Sequence, residues 1–287
     1  MNKILEYIST TPFFNRITKE YNQKDEVHIT NTNDSVSILT ILNLFRQVDH
    51  SLVIATPNLF NAQKVYDKLS EFLDTDELGF FPQDEFMTTE MLAMSTEFKV
   101  ERINTIKKII ENKKQIIVTN TTGLVKYLLP KSKWEKAIIR LVKGKDYNTK
   151  QLLQKLITLG YTRESTVEKQ GEFSYRGGIL DIYPLNEINP IRIDFFDDEI
   201  DSIRFFDINT QRSTIKINSI DVFPMYEFYY TKEEYETINK EVRNILDSST
   251  FDEKSANRIM GDLENLENHN DIDKLSRYIT FLHRKPE

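Results

Sequence analysis

Leu52-Val53-Ile54-Ala55-Thr56 is an apolar run containing the β-branched residues Val, Ile and Thr, closed by Pro57. A short run without alternation reads as a strand buried on both faces, the habit of parallel sheets. Its surroundings agree. Val36, Leu39, Leu42, Leu44 and Phe45 mark an apolar helical face before it, with Ser35 or Asp34 as the expected cap. Ala62, Val65, Tyr66, Leu69 and Leu73 recur at helical spacing after it. The unit then repeats: Phe98, Ile103, Ile106, Ile109 and Ile110 share a helix face, and Gln115-Ile116-Ile117-Val118-Thr119 reads as a second strand. Helices alternating with such strands predict an α/β fold around a parallel sheet of the nucleotide-binding type.

The pattern changes near residue 140. Asn148 caps a short helix through Leu152, Leu153, Leu156 and Ile157, and Gly160 takes the position that ends it. Two-residue alternation follows. Ile191, Ile193 and Phe195 point one way, Arg192, Asp194 and Phe196 the other; Asp197-Asp198 turns the chain and residues 200–205 return. This predicts an inserted, mostly antiparallel α+β domain. Beyond Pro224 helical spacing resumes at Tyr235, Ile238, Val242 and Ile245, then at Ile259, Leu263 and Leu266, then at Leu275, Tyr278 and Leu282. The expected division is 1–139 for the first half of the α/β domain, 140–223 for the insertion and 224–287 for a helical return to the first domain.

At 287 residues the chain is long enough for about two domains. A net charge of −7 excludes a uniformly basic nucleic-acid coat, and the absence of cysteine excludes disulfides, thiolate metal sites and a thiol nucleophile. No apolar run approaches the ~20 residues of a membrane span, and the N-terminus has no signal-peptide core, so a soluble, cytoplasmic protein is expected. The charge is unevenly placed. Residues 99–155 hold 15 lysines and arginines against four acids, +11 in a chain of −7. One reading is a DNA-phosphate surface with Lys107, Lys108, Lys113 and Lys114 as candidate contacts. The other is a set of solvated helix faces.

Catalytic motifs are missing. A phosphate loop needs glycines that let backbone amides wrap the anion, and a lysine for its charge. The turn before the first helix of the α/β pattern, Thr30-Asn31-Thr32-Asn33-Asp34-Ser35, has neither, and Asp34 would repel phosphate. His28, His50, His269 and His283 are scattered without metal-ligand spacing. The carboxylates Asp194, Asp197, Asp198, Glu199 and Asp201 lack the spacing of a calcium loop and suit a solvated turn. No catalytic residue, metal site or cofactor is assigned to this chain.

The feature above background is Phe196. If Ile191, Ile193 and Phe195 face the core, Phe196 faces outward beside Arg192. Exposed aromatics with arginine are the composition of protein–protein hot spots. The competing reading is a sheet covered on both faces, with Phe196 in a core.

Three stretches carry a family resemblance: Gly171-Glu-Phe-Ser-Tyr-Arg-Gly-Gly-Ile-Leu-Asp-Ile-Tyr-Pro184, Ile191-Arg-Ile-Asp-Phe-Phe-Asp-Asp-Glu-Ile-Asp-Ser-Ile-Arg204 and Phe206-Asp-Ile-Asn-Thr-Gln-Arg-Ser213. With Thr56-Pro-Asn-Leu-Phe-Asn-Ala-Gln-Lys64, Phe81-Pro-Gln-Asp-Glu85 and Ser95-Thr-Glu-Phe-Lys-Val-Glu-Arg102, they closely resemble the bacterial transcription-repair coupling factor family (Mfd). A weaker likeness reaches the excision-repair helicase UvrB. The resemblance implies the N-terminal, UvrB-like module of a longer, truncated protein: a degenerate P-loop-ATPase-like domain, its nucleotide site decayed, interrupted by a domain that docks on the UvrA damage sensor. It also implies a parent that is an ATP-dependent DNA translocase releasing lesion-stalled RNA polymerase. ATP and magnesium would be used by a motor outside this chain. The family's UvrA-contacting residues match Arg176, Arg192 and Phe196.

Overall fold

Three parallel strands organise the first of the two units into which the chain divides, the described residues up to Lys126. The computed structural model describes residue 7 and residues 9–83, 96–268 and 272–282. The first unit runs α1 (Pro12–Gln23), α2 (Asp34–Gln47), β1 (Leu52–Thr56), α3 (Leu59–Ser70), β2 (Leu78–Phe81), α4 (Thr96–Ile110), β3 (Ile116–Asn120) and a short α5 (Thr121–Leu124). The sheet order is β1-β3-β2, with Leu52 and Leu78 both in register with Ile116. Ile38, Leu42, Phe45 and Leu69 from α2 and α3 pack with Phe80, Ile116 and Val118 as its core. The alternation of helix and strand read from the sequence is the architecture found.

Three local expectations are corrected. Asn33, not Ser35 or Asp34, caps α2: its side-chain oxygen accepts from Val36 N at 2.9 Å. Among the described residues β1 is an edge strand, and Val53 is exposed, so the strand is not buried on both faces. β2 was not expected as a strand, yet its four residues are buried. Its Gly79 lies where a Cβ would stand 2.5 Å from Gln115 Oε1 and 2.9 Å from Thr105 Oγ1.

The second unit begins at Tyr127. It contains α6 (Lys131–Ala137), β4 (Ile139–Val142), α7 (Thr149–Thr158), β5 (Thr162–Arg163), β6 (Glu172–Arg176), β7 (Ile179–Ile182), β8 (Ile191–Phe196), β9 (Glu199–Phe206), β10 (Ser213–Ile217) and β11 (Ser219–Val222). After these come α8 (Lys232–Ser248), α9 (Glu253–Glu267) and a 3₁₀ helix (Ile272–Phe281). Six strands form one sheet in the order β10-β9-β8-β7-β6-β5, antiparallel except for β5 with β6, while β4 and β11 pair separately. Asn148 caps α7 by accepting from Gln151 N, and Gly160 follows its end at φ 92°, both as expected.

The inner face of the six-stranded sheet carries Phe173, Leu180, Ile182, Ile191, Ile193, Ile200 and Ile203, packed with Leu152 and Leu156 of α7. Asp197, at φ 54°, turns the β8–β9 hairpin, and a bulge at Asp201 follows because Asp194 pairs with Ser202 while Phe195 pairs with Ile200. The sheet's two ends are blunt. β5 has two residues, and β10 is irregular between Ser213 and Lys216. Thr231 and Glu234 form a reciprocal cap at the start of α8, and Lys133 Nζ of α6 reaches Glu234 Oε1 at 2.6 Å. No described helix is long and apolar enough to cross a membrane.

Candidate functional site

Alternation decides what the outer face of the six-stranded sheet displays. Register places Ser174, Asp181, Arg192 and Arg204 in one row across β6–β9, and Arg176, Ile179, Asp194 and Ser202 in the next. Phe196 opposite Glu199 begins a third row. Arg176, Arg192 and Phe196, which lie on two strands and span twenty-one positions of sequence, therefore share one face.

Their environments differ. Phe196 is 77% exposed, whereas Phe195 packs against the inner core, so of the two readings open in the sequence the outward one holds. Arg176 ends β6 and is exposed, and among the described residues no hydrogen bond or ion pair engages its guanidinium. Gly177 and Gly178 follow at φ 55° and 83°, a turn that needs glycine, and Phe195 N donates to Gly178 O at 2.8 Å. That bond places the turn after Arg176 beside the end of β8.

Arg192 is held inward. Its Nε and Nη2 donate to Asp181 Oδ1 and Oδ2, each at 2.7 Å, a bidentate pair that raises the guanidinium pKa further. The guanidinium also lies 4.5 Å from the Phe206 ring centroid and donates to Gln211 O and Oε1, each at 3.2 Å. Arg204 on β9 sits directly opposite Arg192, a like-charge juxtaposition that costs free energy unless neutralised. Asp194 supplies the neutralisation: Arg204 Nη1 is 2.6 Å from Asp194 Oδ2, which also accepts from Ser202 Oγ at 2.6 Å. Two crossed ion pairs thus pave the face, and Arg176, Ile179 (41% exposed) and Phe196 stand at its margin. Ile179, Asp181 and Gln211 were not singled out from the sequence. Alternation along 179–182 would have placed Ile179 and Asp181 together, but pairing Asp181 with Arg192 needs the cross-strand register.

The start of α2 presents no anion cradle. Asn33 occupies the Val36 amide, and the Asp34 carboxylate sits 2.7 Å from Lys64 Nζ and 2.9 Å from Lys68 Nζ. The hydrogen bonds from Lys64 and Lys68 hold the Asp34 pKa down at about 2.

The four candidate lysines of the basic region are largely committed. Lys108 Nζ donates to Leu78 O at 2.6 Å and to Thr75 O, and burial lowers its pKa. Lys114 Nζ donates to Phe45 O at 2.6 Å and lies 4.4 Å from that residue's ring centroid. Lys113 pairs with Glu111 at 3.0 Å and Asp76 at 3.8 Å, while Lys107 is half-buried on α4. Among the described residues no cluster of His, Asp and Glu has metal-binding geometry. His269, His283, Asp84, Glu85 and Ser95 lie outside the described residues.

Fold and face together define a class: an α/β chain carrying a module built on a mostly antiparallel six-stranded sheet. Residues 139–228 match the family model of the UvrB interaction domain. Over 221 residues the chain is 36% identical to the transcription-repair-coupling factor of Staphylococcus aureus strain Mu50, covering 77% of this chain and 19% of that protein. Over 291 residues it is 30% identical to that of Staphylococcus epidermidis strain ATCC 35984, covering 99% of this chain and 25% of that protein. The chain is a relative of the transcription-repair-coupling factors and spans 19–25% of the length of these two.

Proposed function

We propose that this chain is a recruitment module: the outer face of its six-stranded sheet docks the UvrA damage sensor and brings it to RNA polymerase stalled at a lesion. The observation that carries the reading is Phe196, 77% exposed on the same sheet face as the exposed Arg176, inside the stretch that matches a UvrB interaction domain. A rigid ring fills an apolar pocket at low entropic cost, and guanidinium binds a partner carboxylate through two parallel bonds. Arg176, Arg192 and Phe196 are the residues proposed to decide docking, with Arg176 and Phe196 open to the partner, and 140–223 the docking domain between two parts of an ATPase-like domain, 1–139 and 224–287.

In this reading the first unit descends from a phosphate-loop ATPase and has lost its nucleotide site. Asn33 and Asp34 support that loss, one filling the helix-start amide and the other putting a carboxylate where phosphate would sit. ATP-driven translocation on DNA belongs to a motor outside this chain.

Calorimetric titration with purified UvrA tests the reading. The wild type binds, and Arg176→Ala and Phe196→Ala each lose about 1–4 kcal/mol of binding at unchanged melting temperature. A well-folded wild type that does not bind UvrA overturns it. Millimolar MgATP is expected to leave the melting temperature unmoved, and a rise of several degrees would restore a nucleotide site to the first unit.

A further inference from the structure

Guanidinium has five N–H bonds. In Arg192, Asp181 takes the one on Nε and one on Nη2, and Gln211 takes the second on Nη2 and one on Nη1. A single N–H remains, so Arg192 has no free parallel pair to offer a partner carboxylate. Arg176, at the other side of the face, keeps its fork. Gln211 is itself held at φ 57°, a left-handed conformation that a non-glycine residue keeps only where its surroundings fix it. Its side-chain amide also donates to Ile208 O at 2.9 Å, which closes the β9–β10 turn onto the arginine.

Resting on the docking reading above, we propose that Arg192 serves the interface as a positioning residue, and that Asp181 is a docking determinant that never touches the partner. The Asp181–Arg192–Gln211 clamp ties β7, β8 and the β9–β10 turn into one fixed plane. Arg176, Ile179 and Phe196 then meet the partner from that plane, and the partner chemistry that fits them is one carboxylate next to an apolar pocket. Were Arg192 instead to swing out and bind the partner directly, Asp181 would be its competitor. The two arrangements give opposite expectations for one isosteric change. Asp181→Asn weakens docking if the clamp positions the face, and leaves it equal or tighter if Asp181 competes.

The test is titration of the chain with purified UvrA, using the wild type, Asp181→Asn, Arg192→Lys, their combination and the exchanged pair Asp181→Arg/Arg192→Asp, with a melting temperature for each. Asp181→Asn and Arg192→Lys are each expected to weaken binding about tenfold. Their combination costs no more than either alone, because both break one clamp. The exchanged pair recovers most of the affinity, which a partner carboxylate on position 192 would forbid. Wild-type affinity in Asp181→Asn, or a folded exchanged pair that stays unbound, overturns the inference while leaving the docking reading standing. If the exchanged pair does not fold, Asp181→Asn decides alone. A folded wild type that fails to bind UvrA overturns the docking reading and the clamp's role with it.

Discussion

Two regions concentrate cationic side chains, and the protein uses them differently. Around the end of α4 and the start of β3, Lys108 and Lys114 donate to main-chain carbonyls and Lys113 pairs with acids of its own unit. On the outer face of the six-stranded sheet, Arg192 and Arg204 are matched to Asp181 and Asp194, while Arg176 is left open on the same face as an exposed phenyl ring. The first region has the greater charge by count, and the second has the organised surface. A local excess of lysine in a sequence measures composition, whereas the charge a partner meets depends on which ammonium and guanidinium groups already have acceptors.

The largest effect that would sharpen this contrast lies within β8. Ile193→Ala, which empties a fully buried inner-face site, is expected to cost about 2–5 kcal/mol in urea unfolding. Phe196→Ala, three residues on, should stay within about 0.5 kcal/mol of wild type. Equal losses would mean that the outer face is a core and not a docking surface. Next in size, Lys114→Ala removes a donor from the Phe45 carbonyl and a cation from its ring, at about 1–2 kcal/mol of stability in the first unit. An unchanged melting temperature together with a fall in salt-dependent DNA affinity would return the lysines to a phosphate-contact role.

The smallest effect is in alkaline stability. Burial pushes the Tyr161 hydroxyl pKa above its ordinary value in the second unit, where it donates to Phe223 O at 2.8 Å. Burial, with Glu101 and Asp67, pushes Tyr66 up to about 12 in the first. The unfolded tyrosines lose their protons near pH ~10, and the folded ones keep theirs. Their contribution to stability is therefore full below that pH and declines as pH rises above it. Melting temperatures from pH 8 to 11 should fall with a slope that Tyr161→Phe reduces. An unaltered slope would mean the hydroxyl titrates as if exposed.

How much was legible in the sequence follows from the range of the interactions involved. The positions of strands β1 and β3, of helix α7 with its Asn148 cap and Gly160 stop and of the β8–β9 turn at Asp197 are local in pattern and legible, whereas the exposure of Val53 on β1 is not. β2 escaped because Leu78-Gly79-Phe80-Phe81 neither alternates nor is rich in β-branched residues; its glycine answers to the side chains of Thr105 and Gln115, which are far away in sequence. The cap of α2 was misplaced by one or two residues, since Asn33, Asp34 and Ser35 are all competent caps and only the backbone conformation chooses. At the site, period-two alternation put Arg192 and Phe196 on one face without any structure. It could not distinguish the clamped arginine from the open one, because that depends on β7 lying in register with β8 and on the Gln211 turn folding back.

The blunt ends of the six-stranded sheet bear on how the chain behaves in concentrated solution. A sheet with one solvent-facing side and long straight edges would invite copies of itself to add as further strands. Here β5 is too short to template a partner strand, and the pairing of β10 is irregular between Ser213 and Lys216, with a lysine on its exposed run. Both rims are therefore poor templates for a further strand, which leaves the flat side with its exposed aromatic as the better surface for an encounter.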